Sequence, residues 1–418
     1  MAVLPARSAL MNAAVVPAAT IGSNIFSYGL LLAAAHLLSP SSYGELSALL
    51  GVLLVATVPL LALQTVTARR TATSSDTTGL GSATAIAGLG TAAVVVVAAP
   101  AMAAFLHLDS VLGVLLVAAS VPAGTVLGTL LGEAQGRRDF HRLAALTALT
   151  TLGRSLGGLI GLILGHSTLS TLFGVSAGLT VIAASAIRLR LASIGTRSVW
   201  KSPASPWPLL REAVHAAHAH IAFLVVTSLD VLLARHLLDA NDAGLYAVGS
   251  VVTRAALWLP QSVGLMLFAS MSVLDRHHSA VRRAVAAVLA TGLVTVVGCL
   301  VAGRLVVDLV GGANYQALSS TVWIFALLGV CLALVQLGVL AGLARRRPQR
   351  VVLLWITGAL DVGLVLALGT DATPFRIVFV LTGIAALAAI SVIALSMRST
   401  LAGRRAADQL GSSAAGHA

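Results

Sequence analysis

Apolar residues run along this chain in long blocks, and polar residues collect in the short gaps between them. Stretches such as Ala92–Ala104 and Val111–Leu131 show no alternation of polar and apolar positions, which excludes barrel strands. Blocks longer than ~18 residues are membrane spans rather than buried core helices. Inside lipid only a helix or a closed barrel satisfies every backbone polar group. The pattern therefore predicts an all-α membrane protein of about twelve transmembrane helices. The predicted windows are 14–38, 46–68, 80–106, 111–133, 143–165 and 168–189, then 212–238, 246–273, 283–303, 318–343, 351–370 and 375–397. Arg7 followed by an apolar run resembles a signal peptide, but Pro17 and Asn24 interrupt it and the run continues to Leu38, so an uncleaved first span is expected.

Composition agrees. Of 418 residues 58% are hydrophobic and 10% charged, against roughly 25% charged in soluble domains. A formal charge of +12 raises nucleic acid as a partner, but the basic residues sit in clusters between apolar blocks, which is topology rather than a nucleic-acid face. The N-terminus, the even-numbered connections and the tail carry nearly all of the 26 Lys and Arg. Odd-numbered connections hold only Arg235, Arg304 and Arg376, while Arg154 and Arg254 fall inside spans. This asymmetry predicts a multi-pass protein of the cell (inner or plasma) membrane with both termini cytoplasmic. Cys299 and Cys331 lie in spans and read as small core residues without a disulfide.

The longest connection, with Arg190, Arg197, Lys201, Arg211 and the Pro-rich stretch Ser202–Pro208, separates two halves. The expected domains are an N-terminal six-helix lobe (1–195), a cytoplasmic linker (196–211), a C-terminal six-helix lobe (212–398) and a disordered cytoplasmic tail (399–418). The halves repeat. His36-Leu37-Leu38 followed by Gly44 recurs as His236-Leu237-Leu238 followed by Gly244, an offset of 200 residues. Six helices per half makes this a parallel repeat, with a pseudo-twofold axis along the membrane normal and a central cavity expected between the halves.

Several segments carry a family likeness. Leu37-Leu38-Ser39-Pro40-Ser41-Ser42-Tyr43-Gly44 resembles the turn after the first helix of polysaccharide-biosynthesis flippases, with His36 and Ser39 where that family has a basic residue and a glycine. Leu63–Arg70 resembles the end of their second helix, Leu131–Phe140 their loop after helix four, and Leu229–Ala234 with Ala243–Ala247 their seventh helix and its turn. The resemblance implies the oligosaccharide flippase branch (Wzx-like) of the multidrug/oligosaccharidyl-lipid/polysaccharide exporter superfamily. It implies a MATE-like fold of two six-helix bundles around a central cavity. It also implies transport of undecaprenyl-diphosphate-linked oligosaccharide from the inner to the outer leaflet.

Ionisable residues inside spans are the candidate site. A charge at the bilayer centre costs at least ~2.5 kcal/mol on insertion scales. Arg154 (in Thr150-Thr151-Leu152-Gly153-Arg154-Ser155) and Arg254 offer permanent charge and a forked donor set matched to a diphosphate. The expected substrate position is between them, with Asn24 and Gln64 as lining residues. Asp230 and Asp361 are the ion-coupling candidates, with the alternative that Asp230 merely pairs with Arg254 or Arg235. Glu133 is expected to be solvated at a helix end. His215, His218 and His220 read as an interfacial cluster rather than a metal site, His277-His278 as a lipid contact, and Arg345–Arg350 as a topology anchor. The Gly-rich stretch Gly153–Gly165 is expected to serve close helix packing, without an ordered glycine motif.

No phosphate-binding loop with its Lys is present, so this chain carries no ATP motor, and neither a cofactor nor a metal is expected. No pair of outer-loop acids suits general acid–base work, so an enzyme is not expected. The flippase reading implies membrane lipids, the lipid-linked substrate, and glycosyltransferases and a polymerase of the same pathway as partners. Two alternatives remain at this point: a cation antiporter of the same superfamily, which needs an acid-dominated cavity, and a membrane-embedded sugar polymerase or transferase.

Overall fold

The computed structural model describes residues 6–73, 78–192, 205–271, 277–343, 349–391 and 393. Most of the expected linker, the tail from 399 and most of the Arg345–Arg350 anchor lie outside them. The described residues contain no strand. The helices are α1 (Ala6–Leu37), α2 (Pro40–Ala56), α3 (Val58–Ala72), α4 (Leu80–Phe105), α5 (Leu112–Gly136), α6 (Phe140–Gly165), α7 (Thr168–Ala192) and α8 (Trp207–Leu237). They continue as α9 (Ala240–Met271), α10 (His277–Val301), α11 (Gly303–Val310), α12 (Val322–Leu343), α13 (Gln349–Leu366) and α14 (Pro374–Ser391). Among the described residues seven helical segments are long and apolar enough to cross a membrane, and Val322–Leu337 and Trp355–Leu366 are shorter apolar helices. Each predicted window meets one long segment. Val97, Leu164 and Val301 stand 79–82% exposed, as side chains that face lipid do.

Two features depart from the expected windows. The second span is broken: α2 ends at Ala56 and α3 starts at Val58. Pro59 has no N–H to continue the ladder, so the chain turns at Thr57, whose N–H bonds to Leu53 O at 3.0 Å and whose hydroxyl bonds to Leu54 O. The connection expected after window nine contains α11, an amphipathic helix of about two turns. Val307 is fully buried there, while Leu305 and Leu309 are exposed.

The chain divides into two compact units, Met1–Gly244 and Leu245–Ala418. In the first, two glycine ladders let helices meet at backbone distance. Gly124, Gly128, Gly132 and Gly136 on α5 face Leu60, Gln64 and Ala68 of α3; a Cβ at Gly128 would lie 2.6 Å from Leu60 O. Gly153, Gly157, Gly161 and Gly165 on α6 face Ser170, Gly174 and Gly178 of α7, and a Cβ at any of the middle positions would overlap a carbonyl of the facing helix. This corrects the expectation of no ordered motif: both ladders have the four-residue spacing of one helical face. The repeat turns also meet within this unit. A Cβ on Gly44 would stand 2.9 Å from Gly244 N, and one on Gly244 would overlap Pro40 O. Both following helices are capped alike, Ser39 Oγ accepting from Ser42 N and Asp239 Oδ1 from Asp242 N.

In the second unit α9 lies closely on α12. Gly249 takes the ring of Phe325, Thr253 Oγ1 donates to Phe325 O at 2.9 Å, and Gly329 sits against Thr253 O.

Candidate functional site

Arg154 lies near the midpoint of α6, one residue past the ladder glycine Gly153. The ladder face holds α7, so the guanidinium is turned away from it. Its Nη2 donates to Ser27 Oγ of α1 at 3.0 Å. It also lines a cavity of about 130 Å³ with Thr57 from the α2–α3 break, Ser120 of α5, and Thr150 and Thr151. The break at Pro59 is what puts Thr57 there. Thr150 and Thr151 precede Arg154 by four and three residues and so share its face.

Among the described residues Ser27 is the one hydrogen-bond partner of Arg154, and no carboxylate lies within ion-pair distance of it. A guanidinium carries five N–H donors. The lining hydroxyls are neutral, and three donate backwards into their own helices: Thr57 to Leu54 O, Ser120 to Val117 O at 2.7 Å and Thr150 to Leu146 O at 2.7 Å. The result is a mid-span cation with spare donors among acceptor oxygens.

The other candidates are distributed as follows. Asn24 is half-buried one turn before Ser27 on α1. Gln64 donates to Gln135 Oε1 at 3.3 Å on the α3–α5 seam. Neither lines the Arg154 cavity. Asp230 is half-buried on α8, in the first unit. Arg254, beside the Thr253 contact, and Asp361, 8% exposed on α13, belong to the second. Arg254 Nη2 is buried with no hydrogen-bond partner among the described residues.

Arg235 does not pair with Asp230. It is 6% exposed and donates from Nε to Leu106 O and from Nη2 to His107 O, both at 3.1 Å. Those carbonyls end α4, where His107 takes a left-handed conformation (φ 48°). His236 stacks on Phe105 at 4.0 Å and bonds to its carbonyl. Replacing Arg235 with alanine is expected to leave both carbonyls unpaired and to destabilise the unit by about 1–3 kcal/mol, read as a lowered melting temperature in detergent.

Glu133 corrects another expectation. It is 3% exposed, not solvated, and pairs with Arg137 at 2.7 Å, because the α5 ladder draws its turn into the packing. Arg69 and Arg70 do more than mark topology: both bind Glu212 of α8, Arg70 Nη2 at 2.7 Å from Oε1. The histidines His215 and His220 turn Nδ1 to Arg211 O and Ala216 O of their own helix, each at 2.8 Å, and no metal cluster occurs among the described residues. Cys299 and Cys331 are buried free thiols. The side chains of His277 and His278 lie outside the described residues.

No curated protein matches the sequence. Solved structures match in fold. An inward-facing multidrug resistance MATE family transporter of the MOP superfamily aligns at 12% identity and TM-score 0.75, covering 92% of this chain and 96% of that one. The lipid II flippase MurJ in an inward closed conformation aligns at 11% identity and TM-score 0.74, covering 90% and 86%. A MOP superfamily transporter from Pyrococcus furiosus, described as having a binding pocket of reverse polarity, aligns at 13% and 0.53, covering 93% and 92%. At these identities the likeness establishes the two-lobe fold. The sequence itself matches the family described as polysaccharide biosynthesis protein over residues 33–320, and the chain, a multi-pass helical membrane protein by its apolar helices, therefore belongs to that family.

Proposed function

We propose that the protein flips undecaprenyl-diphosphate-linked oligosaccharide from the inner to the outer leaflet of the cell membrane by alternating access, with both termini cytoplasmic. The observation that carries this reading is the mid-span guanidinium of Arg154, which has one hydroxyl partner and no carboxylate among the described residues. A diphosphate headgroup is the substrate chemistry such a cation favours. The family match and the MurJ neighbour, which is a lipid II flippase, support the same class. In this reading Arg154 and Arg254 bind the diphosphate, Asn24 and Gln64 bind sugar hydroxyls, and Asp230 and Asp361 couple an ion. Glycosyltransferases and a polymerase of the same pathway supply and consume the substrate. The cation-antiporter alternative requires acids at the binding cavity, and the one built on Arg154 has the opposite sign.

The test is reconstitution in liposomes with a lipid-linked oligosaccharide whose outer-leaflet exposure is read by a lectin. The wild-type chain is expected to expose the glycan, and an Arg154→Ala/Arg254→Ala double variant to leave it inside. Unimpaired exposure by the double variant, or extrusion of a cationic dye in place of glycan movement, overturns the reading.

A further inference from the structure

We propose that the Arg154 cavity holds a small monovalent inorganic anion of chloride size before any lipid substrate arrives. The inference deepens the role assigned to Arg154 above, and its test needs no lipid substrate.

Three observations point to it. The first is charge. Arg154 sits mid-span, stays protonated at any physiological pH, and has one neutral partner among the described residues. An isolated charge in a low-dielectric lobe is costly, and a counter-ion removes most of that cost. The second is size. The cavity is about 130 Å³, well above the ~10–15 Å³ that one water needs, so it takes a small ion together with several waters. Pockets that enclose drug-sized ligands measure ~300–1,000 Å³, so this one is matched to a small anion or a single phosphate group rather than to a whole glycosylated headgroup. The third is donor supply. The hydroxyl hydrogens of Thr57, Ser120 and Thr150 are taken by their own helices, so these oxygens serve hydration waters as acceptors. The anion itself is met by the spare guanidinium N–H groups and by Thr151, whose hydroxyl has no bonded partner among the described residues. A headgroup phosphate that reaches Arg154 then displaces the resident anion, so apparent substrate affinity falls as chloride rises.

Equilibrium dialysis of the purified full-length chain in detergent against radiolabelled chloride tests this. One saturable chloride per chain is expected, displaced by bromide and not by gluconate. Replacing gluconate with chloride at constant ionic strength is expected to raise the melting temperature by about 2 °C. Arg154→Gln is expected to abolish both effects, Thr151→Val to weaken chloride binding several-fold, and Arg304→Gln, on the exposed surface, to change neither. Absence of saturable chloride binding in the wild type, or retention of it in Arg154→Gln, overturns the proposal. Should Arg154→Gln fail to fold, unaltered binding in Thr151→Val together with Ser27→Ala overturns it instead. Glycan flipping without chloride binding defeats this inference alone; chloride binding without glycan flipping defeats the flippase reading alone.

Discussion

Arg154→Ala is expected to slow leaflet translocation about 10- to 100-fold in proteoliposomes while leaving the melting temperature unchanged or higher. The two halves of that outcome have separate causes. A charge-assisted hydrogen bond contributes ~1.5–3 kcal/mol, and losing it where the phosphate crosses the span raises the barrier by that order. The folded protein loses little, because Arg154 donates to one hydroxyl and pairs with no carboxylate among the described residues. In chloride-free buffer, where no counter-ion offsets the charge, its removal relieves an insertion cost of at least ~2.5 kcal/mol. Arg154→Lys separates charge from shape: it keeps the charge but not the fork that grips phosphate, so an intermediate rate is expected. If instead Arg154→Ala melts much earlier and flips at the wild-type rate, the guanidinium is a packing element and the transport role falls.

Arg235 shows the opposite economy, and the contrast clarifies which buried arginines belong to function. Its guanidinium is consumed by the carbonyls of Leu106 and His107 at the end of α4. Nothing in its donor set is left for a ligand of that geometry, and its expected phenotype is loss of stability with the translocation rate per folded molecule preserved.

Much of the architecture is legible in the sequence because lipid is a strict solvent. Long apolar blocks have one backbone solution there, so the helix windows follow from length alone. The repeat is also visible, since the turns at Gly44 and Gly244 meet backbone to backbone and tolerate no side chain. The break at Thr57 is hidden by an uninterrupted apolar run, although Pro59 was its signal. The position of Thr57 and Ser120 beside Arg154 depends on long-range packing, which no local pattern carries; Thr150 and Thr151, at helical spacing from Arg154, were readable. Glu133 was misjudged because a helix end near a loop suggests water, whereas the α5 ladder buries that turn. The four-residue glycine spacing itself was in plain view on both α5 and α6.

That spacing supports the largest expected loss of folded protein. Gly157→Leu is expected to destabilise the first unit by about 3 kcal/mol, roughly a hundredfold in the folded-to-unfolded ratio, read as loss of the monodisperse peak on size exclusion and of the melting transition. The reason is geometric. The first carbon of any side chain at Gly157 would overlap the carbonyl of Gly174, and backbone cannot rotate aside as a flexible side chain can. α6 must then move off α7 along the whole seam from Gly153 to Gly165, giving up the dispersion contacts and close approach that drive helix association in lipid, where no hydrophobic force assists. Gly157→Ala meets the same overlap with a smaller body, so partial loss is expected. Gly90→Ala and Gly298→Ala are the controls: neither Cβ would meet an atom within 4 Å, and alanine is the better helix former by about 1 kcal/mol, so both are expected to be neutral or stabilising. If Gly157→Leu folds and melts as the wild type does, α6 and α7 are not in backbone contact, and the placement of Arg154 that depends on that seam is wrong with it.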